Sequence, residues 1–109
     1  MVVQQLPSIY PTPVDCTFLA PGFFGLTFSE ALKDVTGESV NMTFYYGNQQ
    51  YFGSRVESQA SDEMIVEASN QVAAGPPNRV DYVNVPPVLE SLDGRPVATF
   101  RGFPIDPAP

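Results

Sequence analysis

Twelve prolines in a chain of 109 residues constrain this fold more than any other feature of the sequence. Proline breaks helix interiors and has no amide to donate within a central strand, so it is confined to turns, strand ends and extended segments. A chain of this length forms one domain rather than two. The sequence therefore predicts a mainly β, small antiparallel β-sandwich or barrel-like domain with one short helix and extended arms at both ends.

The two ends of the chain are predicted to form the arms. Residues 1–22 contain four prolines and residues 102–109 contain three, and both sets favour extended backbone. The N-terminal segment also carries many apolar side chains, which a freely solvated linker avoids. We expect the arms to lie on a protein surface, either the chain's own core or a neighbouring subunit. Residues 23–101 are then the β-rich core domain.

Residues 40–56 carry the clearest local signal, which is typical of a β-hairpin. Apolar and polar residues alternate before Gly47 and Asn48, and this dipeptide suits the two central positions of a type I′ or II′ turn. In the resulting register Phe44 lies opposite Tyr51. Aromatic side chains then occupy both faces of the hairpin, which favours a sandwich or an interface.

The Asp93-Gly94 dipeptide predicts a second hairpin within residues 88–100. With a two-residue turn, Pro96 lies opposite Ser91 in a pair that needs no ladder hydrogen bond. Because a central strand would need the missing amide for its other neighbour, we expect the strand that starts at Pro96 to be an edge.

Three further elements complete the predicted domain. Residues 23–28 and 79–85 are rich in aromatic or β-branched residues and predict strands. Residues 61–75 predict the short helix, because Ser61 is a suitable N-cap and a glycine ends the segment. Its apolar stripe at helical spacing consists of Met64, Ile65, Ala68 and Val72. A strand through residues 64–66 is the alternative.

The charge of the chain limits its partners. Twelve acidic and five basic residues give a net charge of −7, and the basic residues are scattered. This balance opposes a phosphate backbone, so we expect neither nucleic acid nor an anionic membrane as a partner. The apolar stretches are far shorter than the about 20 residues that span a bilayer. Residues 1–10 also lack the basic start and apolar run of a secretory signal.

The sequence offers little catalytic chemistry. It contains no histidine, which removes the commonest general base and the usual zinc sites. The single cysteine, Cys16, has no basic neighbour in sequence and resembles an inert small hydrophobe. Asp62, Glu63 and Glu67 are the candidates for a glycosidase carboxylate pair, but a helix N-terminus explains the first two without a substrate. We therefore predict no enzyme activity, no cofactor and no metal site.

Interaction with other proteins is the remaining kind of function. The only lysine, Lys33, lies outside the predicted strands, and lysine is a usual blocker of strand edges. The 40–56 hairpin, whose only positive charge is Arg55, therefore offers an edge suited to β-augmentation by a neighbouring chain. Aromatic residues are also enriched at interface centres. The predicted interface residues are Leu6, Ile9, Tyr10, Tyr45, Tyr51, Phe52, Phe103 and Ile105.

A small acidic β-domain with apolar, proline-rich arms resembles the accessory proteins of virus or phage particles, such as capsid decoration or cement proteins. The resemblance rests on size, charge and arms, and it transfers no functional residue. It implies a non-enzymatic structural protein of the virion, oligomeric or lattice-bound, whose partners are protein subunits such as a major capsid protein. The alternative is a free-standing module that binds a carbohydrate or a peptide on its tyrosine-rich hairpin face. Outside a virion, the expected location is the cytoplasm.

Overall fold

The computed structural model describes residues 11–86 and 88–107. Within this part of the chain, seven strands form one antiparallel sheet. The strands are β1 (Pro13–Ala20), β2 (Phe23–Phe28), β3 (Met42–Tyr46), β4 (Gln49–Ala60), β5 (Glu63–Ala73), β6 (Arg79–Tyr82) and β7 (Phe100–Pro104). The mainly β, antiparallel architecture is confirmed. The described residues contain no helix, so the prediction of a short helix is wrong.

The sheet curls until it is nearly a barrel. Its strand order is β1-β2-β5-β4-β3-β6-β7, and every neighbouring pair is antiparallel. Because the number of strands is odd, β1 and β7 run in the same direction and the closing contact is parallel. In this contact, which we call the seam, the Phe18 amide donates to the Asp106 carbonyl at 2.9 Å. The Asp106 amide in turn donates to the Cys16 carbonyl at 2.8 Å.

The core lies inside the curled sheet. Successive side chains of a strand point to opposite faces, so alternate residues of each strand point inward. Phe24 is fully buried and stacks on Phe44 with 4.2 Å between the ring centroids. It also meets Tyr51 edge-on at 5.4 Å. Burial of each such side chain contributes about 1.5–3 kcal/mol, so this aromatic cluster is a main source of stability.

Two of the predicted strands and the first hairpin are confirmed. Strand β2 matches the predicted strand at 23–28, and β6 covers the first half of the other. Positive φ angles of 61° at Gly47 and 63° at Asn48 define a type I′ turn. Phe44 pairs with Tyr51 as predicted. The hairpin is not an edge, however, because β6 pairs with β3 and β5 pairs with β4.

Residues 63–73, most of the predicted helix, form strand β5. Met64 and Val66 are buried while Ile65 between them faces outward, which is the period of two of a strand. Ser61, the predicted N-cap, is instead a turn residue with a φ of 58° between β4 and β5. The helix prediction fails because pairing with β2 and β4 on both sides outweighs a weak local helical stripe.

The second predicted hairpin has the right location but the wrong loop length. The Ser91 amide donates to the Arg95 carbonyl at 2.8 Å, and the Gly94 amide donates to the Ser91 carbonyl at 3.0 Å. These bonds close a three-residue loop in which Gly94 has a φ of 88°. Pro96 therefore lies opposite Glu90 rather than Ser91, in a pair that still needs no ladder amide. The flanking segments do not continue as strands.

Parts of both predicted arms belong to the sheet. Residues 13–20 form β1, and β7 extends to residue 104. Ile105, directly after β7, is only 5% exposed. The prolines mark the beginning of β1 and the end of β7, positions where a missing amide is tolerated. The sheet therefore extends past the predicted core limits at residues 22 and 102. Residues 1–10 of the N-terminal arm lie outside the described residues.

Candidate protein-binding surfaces

The outer face of the β3–β4 hairpin carries two of the predicted interface residues, Tyr45 and Phe52. The Arg79 guanidinium lies over the Tyr45 ring, 3.9 Å from its centroid, and Arg79 also pairs with Asp81 at 3.7 Å. Tyr45 is therefore engaged within the chain by a cation–π contact. Phe52 is 39% exposed and remains open on this face.

An apolar groove of about 370 Å³, the hairpin groove, lies beside Phe52. Val40 and Val85 contribute to its walls. The Asn41 side chain holds the wall segment in place by donating to the Val85 carbonyl at 3.1 Å. Gly53 lets β4 lie close to residues 40–42, because a Cβ there would lie 3.1 Å from the Met42 carbonyl oxygen. The hairpin groove can accept an apolar side chain but offers little charge.

The other predicted interface residues do not join this surface. Tyr51 and Ile105 are 6% and 5% exposed and belong to the core. Phe103 is half-buried and packs on Phe100 with 6.1 Å between the ring centroids. Leu6, Ile9 and Tyr10 lie outside the described residues. Among the predicted interface residues that the structure describes, only Tyr45 and Phe52 therefore share one exposed face.

Strand β5 extends beyond its neighbour β2. The last pair between them joins Phe23 and Glu67, and the chain then turns away at Gly22, whose carbonyl accepts the Ala68 amide at 2.8 Å. Among residues 11–86 and 88–107, no strand pairs with residues 70–73 on this side of β5. We call residues 70–73 the free edge.

A second concave surface, the outer groove, has a volume of about 420 Å³ and crosses β1, β2, β5 and β4. Thr17, Gly25 and Ile65 form one row across it at paired positions. Gly25 leaves the middle of this row without a side chain. Leu19 lies over the glycine, its Cδ1 3.3 Å from the place of a Cβ, and is 43% exposed. Leu19 and Ile65 therefore form an apolar floor on either side of the Thr17–Gly25 pair.

The next row of the outer groove is acidic at both ends. Asp15, Thr27 and Glu63 occupy paired positions on the same three strands. Two strand spacings separate the two acidic residues, about 10 Å, with Thr27 between them. The acidic row lies about 7 Å from the apolar row, which is the repeat of outward side chains along a strand. The groove thus places an acid-flanked position beside an apolar one.

A third carboxylate adjoins the acidic row at the seam. The pKa of Asp106 is raised, first because its carboxyl group shares a hydrogen bond with Asp15, then by partial loss of solvent and by the negative charge of Asp15. The salt bridges formed among the described residues include none with Asp15, Glu63 or Asp106. This end of the outer groove therefore carries negative charge that the described part of the chain does not neutralise.

Sequence reasoning missed the outer groove. The sequence predicts an arm at β1 and a helix at Glu63 and Ile65, so it does not place β1 and β5 on either side of β2. The signal that was available is the alternation in β1, where Cys16 points inward and Asp15 and Thr17 point outward.

The thiol of Cys16 is not equipped for catalysis. It is fully buried beneath the seam. Burial raises its pKa to about 12, and the negative charges of Asp15 and Asp106 act in the same direction. Since the thiolate is the reactive form, a thiol protonated at neutral pH is a poor nucleophile.

Two of the candidate glycosidase carboxylates, Glu63 and Glu67, are too far apart to act as a pair. Glu63 and Glu67 are four residues apart on one strand, about 13 Å, whereas paired carboxyl groups of glycosidases lie at most about 9.5 Å apart. Glu67 also forms a salt bridge with Arg55 at 3.2 Å. The described residues contain no group of three or more potential metal ligands. They also contain no helix that is long and apolar enough to cross a membrane.

Comparison with known proteins identifies no relative of this chain. No family model matches it, and neither the curated proteins nor the solved structures provide a match. The surfaces themselves are therefore what bears on its function.

Proposed function

We propose that this protein is a non-enzymatic structural assembly protein that pairs with other protein subunits through the free edge of β5. In a virus or phage particle it would act as an accessory subunit of the decoration or cement type, bound to the lattice of the shell. The observation that carries this proposal is the strand edge at residues 70–73, with which no described strand pairs on the β2 side.

The free edge suits pairing with a further strand. A strand edge presents backbone donors and acceptors, and an added strand gains main-chain hydrogen bonds there. Lysine and proline, which commonly block such edges, are absent from residues 70–73. Val72 is 47% exposed, and Gln71 and Ala73 are exposed as well. An incoming strand would therefore also cover apolar surface.

The charge distribution supports the same role. No charged residue occurs from position 68 to position 78, although the chain as a whole carries a charge of −7. Net charge of one sign keeps copies of a protein apart. An uncharged strand edge is where another acidic subunit could approach with the least repulsion.

A binding module for a peptide is a second candidate, favoured by the open Phe52 ring beside the hairpin groove. A carbohydrate module has less support. The tyrosine-rich face that it needs is reduced, because Arg79 covers Tyr45 and Tyr51 belongs to the core.

Co-sedimentation with particles purified from the virus or host that encodes the chain tests the assembly role. We expect the wild-type protein to sediment with the particles and Val72→Lys to lose at least nine-tenths of this binding, because lysine on a strand edge opposes pairing. Ala98→Lys is the matched control, since it adds the same charge at an exposed loop position and should bind like the wild type.

Circular dichroism and thermal melting of both lysine variants establish that they remain folded. Binding of Val72→Lys at the wild-type level would exclude the free edge as the contact. Failure of the folded wild-type protein to sediment with particles would contradict the virion role itself. Loss of binding in Phe52→Ser, with Val72→Lys binding normally, would instead favour the peptide module.

A further inference from the structure

We infer that the outer groove binds an extended protein segment that carries a lysine or arginine and an apolar residue two positions apart. This site lies on another surface than the free edge of β5. It does not rest on the proposed assembly role.

The apolar half of the site is the floor at Gly25. Leu19 packs over Gly25, its Cδ1 3.3 Å from where a Cβ would lie, so the apolar surface here is formed by the Leu19 and Ile65 side chains. Leu19 is 43% exposed. An apolar side chain of a ligand that packs on Leu19 and Ile65 would cover apolar surface that is now in water, which is favourable in proportion to the area covered.

The acidic half of the site is the row through Thr27. Asp15 and Glu63 lie one strand spacing to either side of it, about 4.8 Å each. A cationic head group over Thr27 would therefore lie close to both carboxylates. Asp106 adds a third negative charge beside Asp15, and the described part of the chain provides these acids with no salt bridge. A ligand cation would relieve repulsion that the folded chain leaves in place.

The spacing of the two halves selects the form of the ligand. They lie about 7 Å apart along β2, and side chains on one face of an extended segment recur at that distance, every second residue. A segment that lies along β2 can thus place its basic side chain over Thr27 and its apolar side chain against Leu19, which covers Gly25. A metal ion or a polyamine would use the acids and leave the apolar floor uncovered.

Nuclear magnetic resonance titration of the full chain provides the test. The probe is a blocked pentapeptide Ser-Lys-Ser-Leu-Ser, which has the proposed spacing. The controls are Ser-Lys-Leu-Ser-Ser, whose two side chains point to opposite faces, and Ser-Gln-Ser-Leu-Ser, which lacks the charge. We expect amide shifts at Gly25, Thr27 and Ile65, and a dissociation constant at least threefold lower for the probe than for either control.

Variants of the protein separate the two halves of the site. Asp15→Asn/Glu63→Gln should weaken the probe at least fivefold, and Leu19→Ser should remove the apolar surface over Gly25 and abolish the preference for the spaced peptide. Leu19 is 43% exposed, so its truncation should leave the core intact. The matched control Glu38→Gln/Glu90→Gln removes the same charge away from the groove and should bind like the wild type.

Each other outcome overturns the inference. Equal binding of the two lysine peptides would show that the spacing of the side chains does not matter. Spermidine or magnesium binding as tightly as the probe, with the same amide shifts, would show a general cation site. An equal loss of probe affinity in both double variants would show that the net charge of the protein, and not the groove, determines binding. Absence of amide shifts at the groove residues would show that the probe does not bind there. Val72→Lys should bind the probe normally, so failure here and failure of the assembly role remain distinct.

Discussion

The two halves of strand β5 are both extended but have different surroundings. Residues 63–67 lie between β2 and β4, and their inward side chains Met64 and Val66 are at most 2% exposed. In residues 70–73, Val72 and Ala73 pair with β4 after a register shift, and Val72, opposite Gln50 on the outer face, is 47% exposed. Pairing with one strand therefore keeps the backbone extended, whereas the face that a side chain occupies decides whether it is buried.

The difference between the two halves begins at Gly22. There the chain leaves β5 instead of continuing beside it, because a φ of 86° turns the backbone between β1 and β2. Residues 63–67, the lower half of β5, therefore contribute to stability. Residues 70–73, the upper half, keep an unpaired edge among the described strands.

The largest effect is expected in the aromatic cluster that covers the lower half. Phe24 is fully buried, pairs with Val66 and stacks on Phe44 at 4.2 Å. Phe24→Ala should lower the free energy of unfolding by about 3–5 kcal/mol, because it removes a buried ring and leaves a cavity. Urea denaturation measures this directly. A loss below about 1 kcal/mol would contradict the core assignment.

A matched pair of valines in β5 compares the two halves themselves. Val66→Ala should cost about 2 kcal/mol, since it removes two buried methyl groups at about 0.8 kcal/mol each and leaves a small cavity. Val72→Ala should change the free energy of unfolding by less than about 0.5 kcal/mol, because the side chain is exposed. Equal losses in the free energy of unfolding for Val66→Ala and Val72→Ala would show that Val72 is buried as Val66 is.

The two hairpins show why some of this fold was predictable. At Gly47 and Asn48 both turn residues adopt positive φ, so the local sequence fixes the loop length and hence the register of Phe44 opposite Tyr51. Around Gly94 the Ser91 hydroxyl accepts the Arg95 amide at 2.9 Å, which favours a longer loop. The dipeptide alone did not reveal that side-chain bond.

The errors in β5 and the arms have a different physical origin. Strand β5 depends on partners from residues 23–27 and 49–60, and its local sequence fits a helix nearly as well. The outer groove is assembled from four strands that follow one another in the sheet but not in the chain. No local pattern brings Asp15 and Glu63 to either side of Thr27. Long-range pairing has to be known first.

The point where β2 leaves β5 can be tested with a smaller change. Gly22→Ala should cost about 1–3 kcal/mol, because its φ of 86° strains any residue with a Cβ, and that Cβ would lie 3.0 Å from the Ala68 carbonyl oxygen. Gly75→Ala is the control, since it has open space around it and no positive φ, and should be close to neutral. Similar melting temperatures for the two variants would contradict a special role for Gly22.

The smallest change in the free energy of unfolding is expected for Asp106 at the seam. The informative result is the direction in which this change varies with pH. The folded-state pKa of Asp106 is raised, so the folded protein binds its proton more tightly than the unfolded chain does. The resulting stabilisation is complete below the ordinary aspartate pKa and is lost as pH rises through the raised value. The wild type should therefore lose stability relative to Asp106→Asn across that window in urea denaturation at successive pH values.

Asp93 provides a control of opposite sign for the seam. Hydrogen bonds from the Ser91 hydroxyl and the Arg95 guanidinium lower its pKa, so its contribution is present above the ordinary value and is lost as pH falls through the lowered one. Relative to Asp93→Asn, the wild type should lose stability on acidification. The two differences should thus run in opposite directions with pH. If both differences ran the same way, the pKa of Asp106 would not be raised by its contact with Asp15 in the folded protein.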